Sequence, residues 1–157
     1  MKKFKEPNPL NDVSEFHDTF NLPVLDTPTI PSKERCELRI NLLEEELDEL
    51  KEAINSNDLV EVIDAFCDIQ YVLSGAILEF GFGEKFKDMF EEVQRSNMSK
   101  TCKSIEEAQA TQEHYFNKDG TASHIVAKGD EFLVYRTSDN KVLKSINYSE
   151  ANLTQFL

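Results

Sequence analysis

No run of 18 apolar residues occurs in this chain of 157, so no helix able to span a membrane is expected. Behind the lysines of the N-terminal MKKFKEPNPLND there is no apolar stretch either, and a secretory signal is not expected. Cysteine is scarce: Cys36, Cys67 and Cys102 form no close pair and are odd in number. A reduced, cytoplasmic protein is the simpler reading of that usage. Positive charge is short as well. Lysine and arginine number 17 against 30 acids, a formal charge of −13. So much acid repels a nucleic-acid backbone or an anionic membrane, which leaves neither as an expected partner. A small anionic ligand stays compatible where metal cations bridge the two, although a solvated acidic surface explains most of the charge. Internal repeats and low-complexity segments are absent.

What is present fits one globular domain, with 39% hydrophobic and 30% charged residues. Residues 1–10 are polar and proline-bearing and read as a mobile arm. Val13, Phe16 and Phe20 recur at helical spacing and predict a short helix from Asp12 to about Phe20. The segment LPVLDTPTIPSKE holds three prolines and reads as an extended connection. Ser32 can cap the next helix, although Arg35 stands where a capping box needs an acid. That helix is predicted from Lys33 to Ile54 and stops at NSND, where Asn57 or Asp58 caps a third from Leu59 to about Phe80. Gly81 and Gly83 end the third helix, and further helices are expected over Glu84 to Asn97 and over 104–114. NKDG (117–120) reads as a turn, followed by two or three short β-runs with turns at Gly129-Asp130 and Asp139-Asn140. The expected architecture is mainly α: a helical bundle over 11–116 and a small C-terminal β-meander in 117–157.

Helical phase at about 100° per residue then locates the acids. Leu42, Leu43, Leu47, Leu50, Ala53 and Ile54 share an arc of roughly 140° with Glu46 near its middle and Glu49 at its edge. Glu45 and Glu52 lie a little further round, while Glu44 and Asp48 point away and read as solvated. On the third helix Asp64 lies between Val60, Cys67 and Tyr71, flanked by Glu61 and Asp68 within about 60°. Carboxylates crowded in an apolar setting cannot all stay ionised without positive charge nearby. Lys51 lies on the far side of its helix from Glu46, and no lysine or arginine occurs from 52 to 84. A hard divalent cation, which prefers oxygen ligands, answers the arrangement best.

The ExxE of Glu46-Leu-Asp-Glu49, followed by an acidic helix, resembles the all-α nucleoside triphosphate pyrophosphohydrolases of the MazG-like superfamily. Their signature is ExxE, a spacer, then ExxD. The phase that puts the final acid on Asp68 leaves Ala65 where a Glu is expected, so Asp64 and Glu61 stand in. Glu61-Val-Ile-Asp64 is itself an ExxD one turn earlier. DAFCDIQYVLSGA, RSNMSK (95–100) and KVLKSINY (141–148) resemble a bacterial and phage branch of that superfamily. The likeness covers about residues 10–100, with an echo at 141–148.

The resemblance implies Mg²⁺-dependent cleavage of a nucleoside triphosphate to monophosphate and pyrophosphate, with Mn²⁺ as a substitute metal. It implies metal ligation by Glu46, Glu49, Asp64 and Asp68, and a proton-accepting role for Glu45 or Glu61. It also implies phosphate contacts from Arg95, Lys100 and Lys144, and base or sugar contacts from Asn97 and Tyr148. A homodimer, or a dimer of dimers, follows from the same likeness and fits the surplus of Phe80, Phe82, Phe86 and Phe90 over what one layer needs.

Phosphoribosyl-ATP pyrophosphohydrolase is the alternative within the enzyme class. From another class, an acidic interaction module would bind a basic partner and need no metal. A di-iron bundle protein would require Glu-x-x-His on two helices. The three histidines, His17, His114 and His124, all lie outside the acidic helices.

Overall fold

A computed structural model describes residues 2–157 and is mainly helical. Its helices are α1 (Pro9–Thr19), α2 (Lys33–Ser56), α3 (Leu59–Glu79), α4 (Phe86–Met98) and α5 (Ile105–Asp119). One antiparallel sheet pairs β1 (Ser123–Lys128) with β2 (Glu131–Arg136). Among the described residues no helix is long and apolar enough to cross a membrane. The chain divides into two compact units, one ending at Phe86 and the other spanning Lys87–Leu157.

Local chemistry accounts for the element ends in the first unit. The Ser32 hydroxyl accepts from the Arg35 N–H at 3.4 Å and starts α2. The chain leaves α2 through Asn57 at φ 56°, the left-handed conformation that asparagine tolerates. Asp58 then accepts from the N–H groups of Val60 and Glu61 and starts α3. At the other end of α3, Gly81 takes φ 73°, and a Cβ there would stand 1.9 Å from the Thr27 carbonyl oxygen. Only glycine lets the proline-bearing connection pass so close. That connection is tied down by Leu25 N–H to the Leu78 carbonyl and Thr29 N–H to the Phe80 carbonyl, each 3.0 Å.

Helix α3 is the hub, packing against both α2 and α1. Two expectations about burial change here. Leu47 and Ile54, read as core residues of α2, are exposed. Leu59, Val60, Ile63 and Phe66 of α3 are exposed too, whereas Phe80, Phe82 and Phe86 are half-buried. Phe90 of α4 is exposed as expected, and the rest of the surplus apolar surface lies on the helix pair. The reason is that α3 carries apolar residues around nearly its whole circumference, and two helices of this unit cover only part of it.

In the second unit α5 runs through the NKDG stretch to Asp119, and Gly120 at φ 73° caps it. The expected turn is thus a helix end. The hairpin turns at Gly129-Asp130 as its residues predict, and beyond it the chain makes a single bridge between Tyr135 and Val142. Cys102, Ala108, Val134 and Leu143 form the buried centre, with Tyr115, Ile125 and Phe132 packed on it.

Candidate active site

Two clusters of charge lie along the α2–α3 pair. The first was not anticipated from the sequence. Glu79, 1% exposed near the end of α3, accepts from Arg39 at 2.6 Å and from Arg35 through both carboxylate oxygens. Arg39, itself buried, also donates to His17 Nε2 at 3.0 Å. An arginine only donates, so Nε2 is the acceptor. The His17 Nδ1–H therefore donates to the Pro23 carbonyl at 2.8 Å, and the ring is the neutral tautomer. Burial holds the His17 pKa below its ordinary value, chiefly by disfavouring the charged ring. Burial alone would raise the Glu79 carboxyl, but the hydrogen bonds and charges of the two arginines outweigh it and hold the group low.

The packing leaves no slack around these groups. A Cβ at Gly75 would meet an Arg39 terminal nitrogen at 2.6 Å and His17 Nε2 at 3.0 Å, so the guanidinium crosses α3 where side chain is missing. Arg39 Nε is buried with no hydrogen-bond partner. The sequence did carry a signal for this cluster. Glu79 is a lone acid in the apolar run SGAILEF, and Arg35 and Arg39 stand one turn apart on α2.

The second cluster is the one the acid pattern predicts. About two turns beyond Arg39 on α2, half-buried Glu46 has its carboxyl raised above the ordinary range. Burial is the largest cause, followed by the charges of Asp68, Glu49, Glu45 and Asp64. Carboxylates of both helices therefore converge electrostatically on Glu46. Asp68 is half-buried, while Glu45, Glu49, Glu61 and Asp64 are exposed. Among the described residues none of these six has a salt-bridge partner. Lys51 is spent on Asp48 at 2.8 Å.

The donor chemistry suits a hard divalent cation: all oxygen, anionic, and without a competing ammonium or guanidinium. The side chains as placed do not form a closed cage. Among the described residues no three histidine, cysteine or acidic groups already stand where one ion could be held by all.

The predicted substrate-binding residues all lie in the second unit. Lys100 Nζ donates to Asn97 Oδ1 at 2.8 Å, and Lys144 Nζ sits 4.1 Å from the centre of the Tyr148 ring. The Tyr148 hydroxyl is 2.9 Å from Ser96 Oγ, and Arg95 bonds to Glu92, Ser149 and the Glu150 carbonyl. RSNMSK and KVLKSINY, far apart in sequence, are thus one hydrogen-bonded neighbourhood.

A mainly helical chain whose paired helices focus five carboxylates without counterions has the make-up of a metal-assisted phosphate-processing protein. Residues 13–97, more than half the chain, match the phosphoribosyl-ATP pyrophosphohydrolase family, and the chain belongs to that family of the MazG-like superfamily. It is also similar to uncharacterized protein L479 of Acanthamoeba polyphaga mimivirus. The two are 24% identical in an alignment 239 positions long that spans 92% of this chain and 94% of that protein. Family membership supports a pyrophosphohydrolase and, with it, a divalent-metal requirement.

Proposed function

We propose that the protein is a Mg²⁺-dependent pyrophosphohydrolase acting on the α–β phosphoanhydride of nucleoside triphosphates, ribo or deoxyribo, in nucleotide-pool cleanup. The observation that carries this is the environment of Glu46, whose carboxyl is raised by burial and by four neighbouring acids while no cation answers them. Glu46, Glu49, Asp64 and Asp68 are the proposed metal ligands, by turning their carboxylates inward onto the ion. Mg²⁺, or Mn²⁺ in its place, would supply neutralisation of the phosphate tail and orientation of a water. Glu45 or Glu61 is the proposed acceptor of the water's proton. Arg95, Asn97, Lys100, Lys144 and Tyr148 form the proposed substrate-binding set, the cations for phosphate and the other two for base or sugar.

The proposed working form is a homodimer or a dimer of dimers. Leu59 and Val60, each 71% exposed, together with Leu47, Ile54, Ile63 and Phe66, offer an apolar surface that a second copy would bury. Phosphoribosyl-ATP as substrate is the second reading, favoured by the description of the matching family.

Purified protein with Mg²⁺ should be offered ribo- and deoxyribonucleoside triphosphates and phosphoribosyl-ATP, with release of monophosphate and pyrophosphate measured. Turnover of triphosphates that stops on chelation supports the first reading. Turnover of phosphoribosyl-ATP alone supports the second. No metal-dependent turnover of either would leave an acidic interaction module in their place.

A further inference from the structure

One stripe of α4, continued by Ser99 just past its end, includes Arg95 and carries a dense set of bonds. Glu92, Arg95, Ser96 and Ser99 stand at helical spacings of three and four, which puts them on one face. All four reach the segment 148–152. Glu92 Oε1 accepts from the Asn152 N–H at 2.8 Å. Arg95 donates to Ser149 Oγ at 3.0 Å and to the Glu150 carbonyl at 2.9 Å. Ser96 meets the Tyr148 hydroxyl, and Ser99 Oγ accepts from the Ser149 N–H at 2.9 Å. Glu92 and Arg95 also grip each other through paired bonds of 2.7 and 2.8 Å.

These bonds occupy the Arg95 guanidinium along its whole edge: Nε and one terminal nitrogen on Glu92, that same nitrogen on Glu150, the other on Ser149. A fork so committed has little left to offer a phosphate. Lys144 has no acidic partner among the described salt bridges and rests on the Tyr148 ring that the stripe holds.

We infer that Glu92 and Arg95 form a clamp that fixes the segment 148–152, so that Arg95 is a positioning residue acting through Tyr148 and Lys144, which replaces the phosphate contact proposed for it above. Its effect on nucleotide binding rests on the proposed role of Lys144 and Tyr148 as substrate contacts; its effect on the segment does not. Glu92 answers to the same geometry: its carboxyl is drawn down to about 2, first by Arg95 and then by the Asn152 N–H. The test compares Glu92→Gln, Arg95→Gln and Arg95→Lys with wild type, each first checked for an intact helical spectrum. The readouts are KM, kcat and amide hydrogen exchange at Ser149 and Asn152.

A clamp predicts that all three variants raise KM by about tenfold with kcat little changed, the low end for loss of an outer supporting partner. All three also speed exchange at both amides. Arg95→Lys should fail like Arg95→Gln, because an ammonium keeps the charge but cannot make the fork. A phosphate ligand predicts otherwise: Arg95→Gln raises KM with exchange unchanged, Arg95→Lys rescues it, and Glu92→Gln does nothing. Any of those three results overturns the clamp. If wild type turns over no nucleotide, the proposed function fails, and the exchange comparison alone decides the clamp.

Discussion

Glu79 and Glu46 lie on the same pair of packed helices and meet opposite fates. Glu79 is the more deeply buried, yet its carboxyl is held low because Arg35 and Arg39 answer its charge. Glu46 is less buried, yet its carboxyl is raised because burial and four acids act on it and nothing opposes them. The difference lies in compensation, not depth. A charge that arrives with its partners is part of the scaffold; a charge assembled without them is waiting for something the chain does not supply.

The sharpest way to break this comparison is to neutralise each acid in turn. Glu46→Gln should lower turnover by about a hundredfold or more, since a bound metal is worth several kcal/mol in the transition state and each 1.36 kcal/mol is tenfold. Steady-state kinetics under saturating Mg²⁺ would check it. Glu79→Gln should instead unfold the protein more readily, by about 3–5 kcal/mol, because it strands two guanidinium groups that were paired. Urea denaturation measures that cost.

The two acids should also differ in how stability depends on pH. A carboxyl held low, as Glu79 is, contributes stability present above its unfolded pKa and lost as pH falls through the folded one. A carboxyl held high, as Glu46 is, does the reverse: stability falls as pH rises from the unfolded pKa through the folded one. Wild type and each neutral mutant, melted across the acid range without metal, should show slopes that change in opposite directions. A smaller effect sharpens the Glu79 side alone. Gly75→Ala should cost about 1–3 kcal/mol, the usual penalty for crowding a packed site, because its Cβ presses on Arg39 and His17. A thermal melt suffices to see it.

The sequence was most legible where one local rule decides. The Ser32 and Asp58 caps and the Gly129 turn are each read from one residue type and its neighbours. Helical phase likewise set Glu46 among the leucines of α2, where it is half-buried, but it set Asp64 on an apolar face of α3, where Asp64, Val60 and Cys67 are all exposed. Legibility failed where the deciding fact was a distance between remote residues. The partners of Glu79 lie 40 and 44 positions away, and only folding shows that Gly75 clears the path between them. It failed also for Leu47, Ile54 and the α3 residues that face outward, since periodicity marks a face as apolar without saying what covers it.

Without a cation the Glu46 cluster should be strained, and a bound cation should relieve it. Melting wild type and Glu46→Gln with and without Mg²⁺ tests it directly. Mg²⁺ at a hundredfold excess over Kd should stabilise wild type by about 2.7 kcal/mol, or about 5–10 °C. Glu46→Gln should be as stable as apo wild type or more so, and should lose most of the Mg²⁺ response. A wild-type melt indifferent to Mg²⁺, together with a Glu46→Gln protein less stable than wild type, would make the acids structural and rule out a metal site at Glu46.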